Sequence, residues 1–189
     1  MDQALSRSQP LYQQTKSRLA ALILHILHIL TIEGLALRLP RRGVVVSSIT
    51  VEDIDQAYHT LCALEAEAAR AAAGCITPAQ VAELHVVLAS PEHGTTLDRR
   101  LAANRSLHDR IDAIAPNRWR DEFTFRLRNF IYRMRHVHQH GAQRLAAIRS
   151  EHAALVEALA AGDAEGAARC AAAHCLAARA DLLAMMEAQ

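Results

Sequence analysis

The sequence predicts an all-α protein: an antiparallel bundle of about six helices, preceded by a short segment that is partly β. Three observations carry this. Alanine is abundant while glycine (7), proline (5) and aromatic residues (4%) are scarce, a composition that favours helices over strands. Beyond residue 50, apolar residues recur at three- and four-residue spacing. Cap signals and breakers separate these runs by connections so short that successive helices have to lie antiparallel.

The elements follow in order. Residues 1–9 are polar and read as frayed, and Pro10 opens a long helical pattern through Leu19, Ile23, Ile26 and Leu30 that stops at Gly34. Leu37-Arg38-Leu39-Pro40, a turn at Arg41-Arg42-Gly43 and then Val44-Val45-Val46 read as a small hairpin. Thr50 with Asp53 three residues on is a capping-box signal, starting a helix that ends at Gly74. Thr77-Pro78 starts the next helix, which runs to about Ala89. Further helices are expected over Leu97–Ala115, from Pro116 to about His140, over Ala142–Ala160, and from the tight Gly162-Asp163 connection to about Ala188. The expected domains are therefore 1–49 and 50–189.

Composition narrows the function classes. Lys+Arg is 21 and Asp+Glu is 20, so no global basic field announces nucleic acid, and a DNA contact has to come from a local patch. The apolar stretch Leu19–Leu35 is interrupted by His25, His28 and Glu33 and falls short of the ~20 apolar residues of a spanning helix. It reads as a buried or dimer-facing helix rather than a membrane span. Cys62, Cys75, Cys170 and Cys175 form no CxxC pair, which points to a reduced, cytoplasmic setting without a disulfide framework.

The chemistry lies in the polar residues that interrupt apolar faces. His152 stands in the stripe Leu145, Ile148, Leu155, Leu159, and His174 in the stripe Ala167, Ala171, Ala178, Leu182. His152 lies ten residues before Gly162 and His174 eleven after Asp163. Residues equidistant from the turn of an antiparallel pair sit at one height, here ~15 Å from it, so the two imidazoles can face each other. Asn104 and His108, four apart, share a face of another helix. Unpartnered buried polar groups cost a few kcal/mol each, so several at one level suggest a common partner. Three imidazoles and one oxygen donor suit a divalent transition metal such as Zn²⁺, Ni²⁺ or Mn²⁺. The plainer alternative is that each histidine is a satisfied core residue. The His136, His138, His140 run has two-residue spacing, does not align on a helix and reads as a helix end. Cys170 lies four residues before His174 and reads as small core filler.

The ordered set of motifs resembles a known family. Asn104-Arg105-Ser106-Leu107-His108, then Ser150-Glu151-His152 through Gly162-Asp163, then Ala167-Ala168-Arg169-Cys170 to His174, is similar to the FCD domain, the effector-binding domain of FadR-type GntR transcription regulators. The segment from Ile49 to Arg70 resembles that domain's opening helix, so the likeness covers about residues 50–189. The resemblance implies a helical bundle with a central metal held by Asn104, His108, His152 and His174, a small organic acid bound beside it, and a homodimer. The family's first ligand is often Asp, so Asn104 would weaken the site or change its metal preference. The opening helix usually carries an effector-binding Arg where Leu61 stands; Arg126, Arg133 and Arg135 are candidates to replace it.

The N-terminal segment resembles parts of a GntR winged helix-turn-helix: Pro10 to Gln14 its first helix, Ile32 to Leu35 and Leu39 to Val44 the end of the recognition helix and the wing. A complete motif of three helices and two strands needs roughly 60 residues, and residues 10–49 supply 40. Arg38, Arg41 and Arg42 on the wing can touch phosphates, contacts that position a protein without reading sequence. The expectation is a ligand-responsive regulator with weak or lost DNA binding. The alternative is a metal-dependent small-molecule-binding protein or metalloenzyme. An enzyme would want a general acid or base beside the metal, and Glu151 is expected to point off the helix seam. No catalytic residue is therefore assigned.

Overall fold

The computed structural model describes residues 2–32, 34–90, 96–135 and 142–188. Among them the order is α1 Asp2–Ile32, β1 Ala36–Leu39, β2 Gly43–Val46, α2 Val51–Ala73, α3 Pro78–Leu88, α4 Leu97–Ile114, α5 Arg118–Arg135, α6 Ala142–Ala160 and α7 Ala164–Glu187. The chain divides into two compact units, Met1–Ile49 and Thr50–Gln189.

In the first unit, α1 runs 31 residues and begins well before Pro10. The polar residues expected to fray contain no glycine and no β-branched side chain, so nothing in them breaks a helix. Tyr12–Ile32 makes 21 residues, long and apolar enough by length and composition to cross a membrane, which corrects the shorter span read from Leu19–Leu35. Leu19, Leu22, Ile23, Leu24, Ile26, Ile29 and Ile32 are all exposed on it. The strands pair antiparallel with Ala36 opposite Val46 and Leu39 opposite Gly43. Arg41 and Gly43 take positive φ (61° and 84°) to close the turn. Arg38, Arg41 and Arg42 are exposed on this hairpin.

The second unit is the helical bundle. Thr50 accepts from the Asp53 amide (3.1 Å) while its own N–H donates to the Asp53 carboxylate (2.9 Å), closing the capping box on α2. Thr77 and Gln80 do the same on α3. α5 starts at Arg118 rather than Pro116, because Asn117 is the residue that caps it, accepting from Trp119 N and Arg120 N. The His136–His140 run lies outside the described residues. Gly162, at φ 68°, turns α6 into α7, and Asp163 caps α7 by accepting from Gly166 N (2.8 Å).

Two ion pairs fix α2 and α7 antiparallel: Arg70 with Glu165 near one end and Asp55 with Arg179 near the other. Their shared seam is small-residue rich, with Ala68, Ala69 and Ala72 on one side and Ala167, Ala168 and Ala171 on the other, all buried. Leu84 of α3, Leu107 and Ile111 of α4, and Leu155, Val156 and Leu159 of α6 complete the core against it. Glu65 with Arg128 and Tyr58 with Arg135 set α5 antiparallel across α2. Among the apolar side chains of this core three polar ones, His108, His152 and His174, are also buried.

Candidate metal centre

Three helices each bring one imidazole to a common point: His108 from α4, His152 from α6 and His174 from α7. All three are buried (5%, 0% and 4% exposed). They offer nitrogen atoms that all lie within 4.8 Å of one another. The Nε2 atoms of His152 and His174 are 3.2 Å apart. The His108 ring centroid is 5.5 Å from that of His152 and 5.4 Å from that of His174. The α6–α7 turn explains the first pair, because the two histidines sit at matching distance from Gly162.

The surroundings of these rings would let them serve as metal ligands. Nδ1 of His174 lies 2.7 Å from Oε2 of Glu151, whose other oxygen accepts from Arg144. Burial alone would raise the Glu151 carboxyl, but the hydrogen bonds from His174 and Arg144 outweigh it and lower its pKa to about 2. An ionised acceptor at Nδ1 favours the tautomer that carries its proton there, which turns the Nε2 lone pair toward the cluster. Nδ1 of His108 lies 3.7 Å from Glu65, a buried carboxylate. Burial, then the Arg128 charge and the neighbouring imidazoles, hold the His108 pKa well below its ordinary value. A neutral imidazole is the form that binds metal. Two nitrogens bound to one ion at ~2.0–2.1 Å each stand ~3 Å apart, the spacing found between His152 and His174. The donor set therefore fits a divalent transition metal.

Glu151 corrects the expectation that it points off the seam. It lies one residue from the stripe, about 100° around the helix, and its side chain is long enough to reach the facing helix.

Beside the imidazoles lies a small cavity of about 50 Å³, lined by Tyr58, Leu61, Glu65, Asn104, Arg105, His108, Arg128, Ile131, Tyr132, Arg135 and Cys175 among others. Asn104 is half-buried on its wall, one turn before His108. Leu61 makes the wall apolar at its position. Of the three candidate arginines, Arg135 reaches the cavity and donates from Nε to the Tyr58 hydroxyl (3.1 Å). Arg126 is exposed and paired with Glu122, and neither it nor Arg133 lines the cavity. Helical spacing explains the difference: residues 128, 131, 132 and 135 share one face of α5, and 126 and 133 fall outside it.

Sequence reasoning missed Glu65, Arg105 and Arg128. Glu65 carried a signal, an acid inside the apolar stripe Ile54, Tyr58, Leu61, Ala68, Ala72. It pairs with Arg128 Nε (3.0 Å), and Nη1 of the same guanidinium holds Asp112 (2.7 Å) and Asp109 (3.3 Å). Arg128 is one of many arginines on α5, and nothing local marks it.

Comparison with known proteins agrees with the fold. The family model of the FCD domain matches residues 56–177. No curated protein matches the chain. Among solved structures, the chain is similar to E. coli McbR/YncC, with a TM-score of 0.70 at 20% identity over 82% of this chain and 80% of that one. It is similar to a GntR-family transcriptional regulator from Pseudomonas syringae pv. tomato (0.64, 18%, covering 88% and 70%). A putative GntR transcriptional regulator from Rhodococcus sp. RHA1 gives 0.66 at 21%, covering 83% and 76%. At these identities the likeness concerns the fold, which is shared.

Proposed function

Because the chain belongs to the FCD-domain family, we propose that it is a ligand-responsive transcription regulator of the GntR/FadR type, sensing a small organic acid beside a divalent transition metal. The carrying observation is the convergence of His108, His152 and His174, with nitrogens within 4.8 Å of one another in the middle of the core. These three would hold the metal, with Asn104 as the neutral oxygen donor. The bound ion would act as a Lewis acid toward a carboxylate oxygen. Arg135 would supply the positive charge that Leu61 lacks, with Tyr58 holding its guanidinium at the cavity wall. The role is regulatory rather than catalytic, and the setting cytoplasmic.

The test is elemental analysis of protein purified without chelator. One transition metal per chain, lost in His152→Ala and His174→Ala, is expected. Protein free of metal that also fails to take up Zn²⁺, Ni²⁺ or Mn²⁺ would overturn the reading. For the effector, a panel of small mono- and dicarboxylates is expected to raise the thermal midpoint of the metal-loaded protein, and Arg135→Ala to remove that rise.

The N-terminal unit supports a lesser role on DNA. Its described residues hold one helix and one hairpin. Arg38, Arg41 and Arg42 would contact phosphates, giving weak binding with little sequence preference.

A further inference from the structure

A second cavity, of about 40 Å³, adjoins the one beside the imidazoles. The two share Leu101 and Asn104 of α4 and Arg135 of α5 in their linings. Helix geometry explains the junction. Arg100, Asn104 and His108 follow one another at four-residue spacing on α4, as Ile148 and His152 do on α6. Each helix therefore carries one face from the imidazoles into the second cavity. Along α4 the eight residues from Arg100 to His108 rise ~12 Å. Along α6, Arg149 stands about one turn before His152.

The charge of this second cavity is one-sided. Arg100, Arg135 and Arg149 line it, and among the described residues no aspartate or glutamate does. Leu97, Leu145 and Ile148 supply an apolar remainder. Arg149 is exposed, while Arg100 and Arg135 are half-buried. Arg128, in the first cavity, is matched by the carboxylates of Glu65, Asp112 and Asp109. Arg135 instead donates to a neutral phenol, the Tyr58 hydroxyl. Three guanidiniums around one small space repel one another, and an anion there relieves this. A carboxylate accepts from guanidinium N–H groups in charge-assisted bonds, two at a time.

We propose that the effector is a short diacid, with one carboxylate beside the imidazoles and the other held in the second cavity by Arg100 and Arg149. The proposal rests on the organic-acid reading above and narrows it to a class. Arg135 would stand between the two carboxylates, and the carbons joining them would pass Leu101. Size limits the ligand. A water-sized group takes ~10–15 Å³ of such space, so each cavity takes roughly three or four of them, a carboxylate and its neighbouring carbon. Two such halves make a diacid of about four to six carbons. A monoacid of the same length would leave its apolar end among the arginines, displacing their water without replacing its hydrogen bonds.

The experiment titrates the metal-loaded full chain by calorimetry with acids matched in carbon number: succinate against butyrate, glutarate against pentanoate, adipate against hexanoate. At the best-fitting length the diacid is expected to bind at least about tenfold more tightly than its monoacid, the worth of one charge-assisted contact. Arg149→Gln and Arg100→Gln are each expected to bring that ratio down, and the double variant to bring it to about one. Arg149 is exposed, so its replacement is expected to leave the thermal midpoint of the unliganded protein in place. Equal affinities within every pair, or a diacid preference that survives the double variant, would overturn the proposal and leave the organic-acid reading standing. Diacid affinity undiminished in His152→Ala would put the ligand in the second cavity alone and overturn the two-ended arrangement. Binding of neither class of acid would remove the organic-acid reading itself, and the proposal with it.

Discussion

At the scale of single residues, the centre turns on how each imidazole is held. Glu151 and Arg144 hold the His174 proton on Nδ1, which leaves Nε2 to bind. Removing such a partner typically costs ~10–100-fold in metal affinity. Glu151→Gln is therefore expected to weaken Zn²⁺ binding by about that factor, measured by competition with a chromogenic chelator, while the far-ultraviolet circular dichroism stays unchanged. Asn104→Asp is expected to act in the other direction and tighten binding, because an ionised oxygen replaces a neutral one. The histidines were legible because each interrupts an apolar stripe. The Glu151 contact was not, since a residue flanking the stripe shows its partner only once the facing helix is in place.

At the scale of elements, local chemistry sets the helix boundaries. The hydroxyl and side-chain amide oxygens at the start of α3 accept from backbone N–H groups that would otherwise be idle. Thr77→Ala is expected to cost about 1 kcal/mol, read from urea melts. The α2 cap is pH-dependent. The Asp53 carboxyl is held below its ordinary 3.8 by hydrogen bonds with Thr50. Its contribution is present above that ordinary value and is lost as pH falls through the lower folded value. The stability difference between wild type and Asp53→Asn is accordingly expected at pH 7 and to shrink as the pH is lowered below 3.8, in melts across that range. The α6–α7 connection depends on Gly162 at φ 68°, a conformation other residues enter at a cost. α1 differs from the rest: its apolar face is exposed, so periodicity alone did not say what covers it.

At the scale of the whole molecule, an apolar helix left open to solvent and a regulator of this family both favour self-association. Light scattering is expected to report a dimer, and a monomer mass would contradict it. DNA affinity is expected to be weak and to fall steeply with salt, measured by fluorescence anisotropy. Nanomolar binding to a single site at physiological salt would show that the short N-terminal unit still reads sequence.

The sequence by itself determined what depends on neighbours along the chain. Caps, breakers and the 3.6-residue period set the bundle helices to within a few residues, and equal distance from the Gly162 turn put His152 and His174 at one height. Tertiary structure alone decided what depends on the register and rotation of helices distant in sequence. Glu65 meets Arg128 across helix faces that no local pattern relates. Arg135, and neither Arg126 nor Arg133, reaches the cavity because packing selects which face of α5 turns inward. Side-chain periodicity fixes which residues share a face; only the packed core fixes what that face looks at.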